Sequence, residues 1–261
     1  METSMRVATI AFHTFKESVR QKVLYNLVAF ALLLICAAIL FGSISVGVER
    51  IILITLGLTS ISVFGLMIAI FIGIDLVSKE IERRTIYNIL SKPVTRAEFI
   101  LGKYLGLLLT LLVNTAIMTV GFYGALLYQK RALEIGDLVF LGAIYFILLQ
   151  LAMVVGIAVV FSCISTPVLS AVYTFCLYVI GNFSADLRAF GQETQSALLG
   201  TVSDVLYYAL PNFGNFNVIS QVAHEQQIPG YLWLGNSLYA LLYLAVLLGM
   251  AVLIFEEREF Q

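Results

Sequence analysis

Charge is scarce in this 261-residue chain: Asp, Glu, Lys and Arg together make up 12% of it, about half the share usual in soluble domains. Apolar residues fill the gap at 61%, and the mean hydropathy is +0.98. No compact soluble fold could hide that much apolar surface, and the same figures exclude a disordered chain. A net charge of −1 offers no basic field to nucleic acid. Cys36, Cys163 and Cys176 show no CxxC or zinc spacing, and each falls in or beside an apolar run, where a thiol serves as a small hydrophobe. His224-Glu225-Gln-Gln-Ile228 lacks the second His of a zinc helix, and Ser43 has no His near it in sequence to activate it. The phosphate loop G-x-x-x-x-G-K-[ST] is missing too. Its nearest match, Gly102-Lys103, continues into Tyr104 and has Ala97 where the first Gly should stand. Neither a metal site nor an ATP site is expected in this chain.

What the sequence does have is long uncharged runs, and a bilayer core needs about 20 apolar residues to be crossed by a helix. Five stretches of 24 residues or more carry no Asp, Glu, Lys or Arg: 23–48, 51–74, 104–129, 138–185 and 226–255. The fourth, at 48 residues, is twice what one helix needs. Pro167 divides it, because proline breaks a helix and pushes the residue before it out of the α region. The last begins with the turn Pro229-Gly230. The expected fold is all-α: a single polytopic membrane domain over 1–261 with six transmembrane helices, an N-terminal amphipathic helix at the interface, and short extracytoplasmic helices before the last span.

Six spans put both termini on one side. With that side inside, eleven Lys and Arg are cytoplasmic and four are not, which favours cytoplasmic N- and C-termini. A cleaved signal peptide fits poorly, since the first apolar run of 26 residues exceeds a 7–15-residue signal core. Residues 5–22 place Ala8, Ala11, Phe12, Phe15 and Val19 at helical spacing opposite Arg6, His13, Lys16, Glu17 and Arg20. That pattern suits a helix in the headgroup layer; the alternative is a cytosolic extension of the first span.

The segment 76–103 is the most informative. It carries six basic residues and divides at Pro93. Before the proline, Ile81, Ile86, Ile89 and Leu90 give a short amphipathic helix. After it, Thr95 has the letters of an N-cap and Glu98 those of its reciprocal N3 partner, with Val94 and Phe99 as a hydrophobic staple. The third span is therefore expected to start near Arg96.

Glu80-x-Glu82-x-Arg84-Thr85, then Leu90-Ser-Lys-Pro-Val-Thr-Arg96-x-Glu98, then Gly102-Lys103-Tyr104 resembles the first cytoplasmic loop of ABC transporter permeases of the type 2 exporter class. The layout also matches: an amphipathic helix, two spans, this loop, four more spans. Arg84 stands where that class usually has Gly. The resemblance implies a permease that docks on separate ATPases through Lys79, Glu80, Glu82, Arg83, Arg84 and Thr85; without it, those charges read only as topogenic residues on a solvated loop. It further implies two ABC ATPase subunits holding ATP and Mg, a second permease protomer (identical or related), export across a bacterial inner membrane, and no cofactor bound by the permease itself.

Residues 184–230 are expected to form two helices outside the bilayer. One carries Leu198, Val202, Val205, Leu206 and Ala209; the other carries Phe216, Ile219, Val222 and Ala223. Between them lies a turn rich in Asn and aromatics. By the resemblance, Pro211, Asn212, Phe213 and Phe216 could form an outer gate; the alternative is an interfacial anchor. Within the spans the polar residues are Asn26, Asn114, Gln150 and Asn182 besides Ser and Thr, which either bond between helices or line a path. No Asp, Glu, Lys or Arg lies deep in a span, which weakens a proton- or sodium-coupled secondary transporter. A mechanical signalling subunit acting on a periplasmic partner is the other alternative. Small residues Gly57, Gly65, Ala69 and Gly73, and Gly102 with Gly106, mark ridges where backbones can approach closely.

Overall fold

A computed structural model describes residues 2–45, 47–82, 95–130, 134–193 and 197–257. Among these residues all regular structure is helical: α1 (Glu2–Val19), α2 (Lys22–Ile44), α3 (Glu49–Glu82), α4 (Arg96–Lys130), α5 (Val139–Ile164), α6 (Pro167–Asn182), α7 (Ser184–Glu193), α8 (Ala197–Ala209), α9 (Ile219–Ala223) and α10 (Gly230–Glu257). Single 3-10 turns occupy Ile135–Leu138 and Phe213–Phe216. The protein is a polytopic membrane protein. Helices α2, α3, α4, α5 and α10 are each long and apolar enough to cross a bilayer.

The expected sixth crossing is less simple. Pro167 sits at the first position of α6, where its missing N–H costs nothing. But α6 has only 16 residues, about 24 Å of helix against a hydrocarbon core of about 30 Å. It qualifies as a span only together with α7, which departs from it at a 53° bend. Gly181-Asn182-Phe183-Ser184 stands at the bend.

Helix α5 is the centre of the bundle: 78% of its most apolar stretch is buried, against 22% in α10. It packs most extensively on α3, and the small ridge of α3 explains how. A Cβ added at Gly73 would lie 2.4 Å from the Ala158 Cβ, and one at Gly65 would lie 2.5 Å from a Leu151 methyl. The ridge thus meets α5 of the same chain, except that Gly57 faces the Phe122 ring of α4. Removing a side chain at these positions lets two helix axes close up and gain dispersion contacts, which drive helix association where water does not.

At Gln21 the backbone is extended, so α1 is a separate helix and not a prolongation of α2. It packs against the start of α4. A Cβ at Gly106 would lie 2.5 Å from the Ala11 carbonyl oxygen, and one at Gly102 would lie 2.8 Å from the Ile10 Cβ. Thr14 and Ser18 are buried at this contact, while Met5, Ala8 and Phe12 point away from the protein. The face used for packing is therefore not the greasiest one, which stays free for lipid.

Candidate functional site

The bundle has two poles. The proximal pole carries α1, the end of α3, the start of α4 and the end of α10; the distal pole carries the turn into α3, the Ile135–Leu138 turn and the segment from α7 to α9.

At the proximal pole, Lys79, Glu80 and Glu82 belong to the last turn of α3. Arg83, Arg84 and Thr85 lie outside the described residues, as does Val94. The chain re-enters at Thr95, and two short hydrogen bonds fix the start of α4. The Thr95 N–H donates to Glu98 Oε2 at 2.8 Å, and the Glu98 N–H donates to Thr95 Oγ1 at 3.2 Å. Two of the unpaired donors that open every helix are thereby satisfied. Phe99 stacks on Phe255, with ring centroids 5.9 Å apart. The Lys103 ammonium stands 5.5 Å from the centre of the same Phe99 ring.

The sequence marks Arg96 as the start of the third span but assigns it no contact. It occupies the first position of α4, where a positive charge is repelled by the helix's own macrodipole. Its Nη1 donates to the carbonyl of Phe255 at 2.8 Å and to that of Glu256 at 2.5 Å. Those carbonyls lie in the last turn of α10, where acceptors have no partner within the helix and the dipole is negative. A charge misplaced for its own helix is well placed for the neighbouring one. The acceptors sit 159 and 160 residues along the chain, so only a basic residue at a helix start hinted at the contact.

At the distal pole, Pro211, Asn212, Phe213 and Phe216 are all buried. Phe213 and Phe216 are 0% and 1% exposed, wedged between α5, α6 and α10. Phe213 packs on Tyr178 at 5.5 Å and Phe216 on Tyr239 at 6.2 Å. Gly181 is required by this arrangement: a Cβ there would lie 2.4 Å from the Pro211 carbonyl oxygen. The Asn212 N–H donates to the Tyr239 hydroxyl at 3.0 Å, and Asn236 Nδ2 donates to the Asn215 carbonyl at 2.8 Å. Among the described residues Asn212 Oδ1 is buried with no hydrogen-bond partner. We refer to Pro211–Phe216 as the plug. Tyr239 and Asn236 lay unremarked in an uncharged run, and only the tertiary structure brings them to it.

A second cluster ties the distal turns together. Arg50, at the start of α3, pairs with Glu225 and, at 3.3 Å, with Asp137. Asp137 also accepts the Glu134 N–H at 2.9 Å, and its carbonyl accepts the Tyr123 hydroxyl at 2.9 Å. Glu225 has a positive φ of 60°.

The segment 184–230, expected as two helices, is divided more finely. Helices α7 and α8 form a hairpin, closed where Gly191 meets Ser203. Arg188 donates to Asp204 at 2.8 Å and lies over the Tyr207 ring at 4.5 Å. The second apolar stripe splits at Asn217, whose Oδ1 accepts the Ile219 N–H at 3.4 Å, into the plug's 3-10 turn and α9.

Of the polar groups in the spans, Gln150 reaches across to Asn182 at 3.4 Å, whereas Asn114 bonds back to the Thr110 carbonyl of its own helix. Asn26 is exposed. Among the described residues no three His, Cys, Asp or Glu side chains come together as a metal site.

Compared with known proteins, residues 8–260 match the family model described as ABC-2 family transporter protein. No curated protein matches the chain.

Proposed function

Since this chain belongs to the ABC-2 transporter family and is a membrane permease of an ABC transporter, we propose that it couples ATP hydrolysis by separate subunits to export. The proximal pole is cytoplasmic in this reading, as the distribution of basic residues favours, and the membrane is a bacterial inner membrane. Two ATPase subunits, each holding ATP and Mg, dock on two permease protomers. The docking surface is the charged segment that leaves α3 at Lys79, Glu80 and Glu82 and continues through Arg83, Arg84 and Thr85. Closure of the ATPases on ATP displaces this elbow, and α3 and α4, both continuous with it, carry the displacement into the membrane. The plug at the distal pole serves as the outer gate.

One observation above all supports the reading. Helix α4 does not fray where the elbow joins it: its first turn is held by the Thr95–Glu98 pair and by Arg96 on α10, and the turns that follow by α1 seated on Gly102 and Gly106. A stiff start is what a helix needs if force is to enter there, because a frayed turn would absorb the movement in its own backbone. The test is Glu82→Lys in the permease reconstituted with its ATPase subunits. We expect normal insertion, with ATP hydrolysis no longer linked to transport. Wild-type substrate-stimulated ATPase activity in the variant would overturn the docking role.

A further inference from the structure

Helix α10 is attached at each of its ends to a different part of the machine. At the proximal end, Arg96 holds the Phe255 and Glu256 carbonyls, and Phe99 stacks on Phe255. At the distal end, the Tyr239 hydroxyl holds the Asn212 N–H, Asn236 holds the Asn215 carbonyl, and Phe216 packs on the Tyr239 ring. Between Tyr239 and Phe255 the helix runs without proline or break. Phe255 stands 16 positions beyond Tyr239, about 24 Å at the α-helical rise. An α-helix transmits an axial push or pull along its length because each turn is hydrogen-bonded to the next.

Two further features suit α10 to movement. It is the least buried of the five long spans, so it can shift along its neighbours without dismantling the core. The plug it holds is also imperfectly satisfied: Asn212 Oδ1 is buried without a partner among the described residues. A buried acceptor without a partner is costly, and water entering an open plug would recover that cost.

We propose that α10 is a tie rod between the elbow and the plug, with Arg96 as the positioning residue at its proximal joint. Displacement of the start of α4 draws on the last turn of α10 through Arg96, and α10 delivers it to Asn212–Phe216 through Tyr239 and Asn236. The physiological use of this link rests on the coupling function proposed above; the link itself is a property of the isolated chain.

Hydrogen–deuterium exchange of the full chain in lipid nanodiscs, without any ATPase, tests it. Arg96→Ala should raise exchange of the plug amides over Asn212–Asn217 by about five-fold or more, the lower range of measured couplings between distant sites. Arg96→Lys, which keeps a donor for the same carbonyls, should restore much of the protection. Coupling is reciprocal, so Tyr239→Phe should raise exchange over Leu253–Glu256. This second variant leaves the proximal pole untouched and serves if Arg96→Ala does not fold. Loss of protection confined to the immediate surroundings of each substitution overturns the proposal. So does a general loosening, in which Arg188→Ala in the distal hairpin raises exchange at both ends of α10. Because no nucleotide or ATPase enters the experiment, its failure leaves the docking role of Glu82 standing, and failure of the Glu82→Lys test leaves the rod standing.

Discussion

The hairpin α7–α8 and the plug with α9 are consecutive in the chain, similar in their apolar spacing, and opposite in fate. Leu198 and Val205 of the hairpin are 78% and 61% exposed, whereas Phe213 and Phe216 are almost wholly covered. The hairpin packs its small residues Gly191 and Ser203 between its two helices, leaves the Arg188–Asp204 pair partly exposed, and turns its Leu and Val outward. The plug instead buries its aromatic rings and turns its backbone donors and acceptors toward side chains of α10. In a bilayer, lipid accepts an apolar face as readily as a protein core does. Apolar periodicity therefore marks a helix's greasy side without saying what covers it.

The comparison can be broken at three points. Phe213→Ala should be the most damaging, at about 3–5 kcal/mol, because the vacated space is enclosed on all sides. Thermal unfolding of the purified chain measures it, and a change below about 1 kcal/mol would show that the plug is not tightly packed. Gly181→Val should cost about 1–3 kcal/mol by overpacking, since its Cβ would press on the Pro211 carbonyl and the Phe213 ring. The same assay should show Phe213→Ala and Gly181→Val to be less than additive when combined, as residues in contact are. Leu198→Ala on the hairpin should change stability by no more than about 0.5 kcal/mol, the usual range for a side chain without protein neighbours. A large loss there would mean that a second protomer or another protein covers the stripe.

At the proximal pole, neighbouring residues differ in how far they could be read in advance. Thr95 and Glu98 are three residues apart, and a helix cap is decided by local backbone geometry, so its letters stand out in sequence. The break at Pro167 is local in the same way. Arg96 lies between Thr95 and Glu98, yet its acceptors belong to the last helix and have no side-chain identity at all, being backbone carbonyls. No residue code announces such a contact. Gly102 and Gly106 were visible as a site of close approach, but the occupant, α1, was not. The ridge on α3 was equally visible, and its partner α5 equally hidden. The sixth crossing shows the limit from the other side: apolar length implied a span, and only the backbone revealed a short α6 bent into α7.

By itself the sequence determined what depends on composition and on neighbours a few residues away. These are a helical membrane protein, the break at Pro167, and a charged segment before a capped helix. Tertiary structure alone decided which faces meet protein and which meet lipid, that the plug is enclosed, and that the start of α4 is joined to the end of α10. The reason is that hydropathy and capping act over single residues or single turns. A helix end, by contrast, exposes the same unpaired carbonyls whatever its sequence, and only the packing of the bundle brings a donor to them.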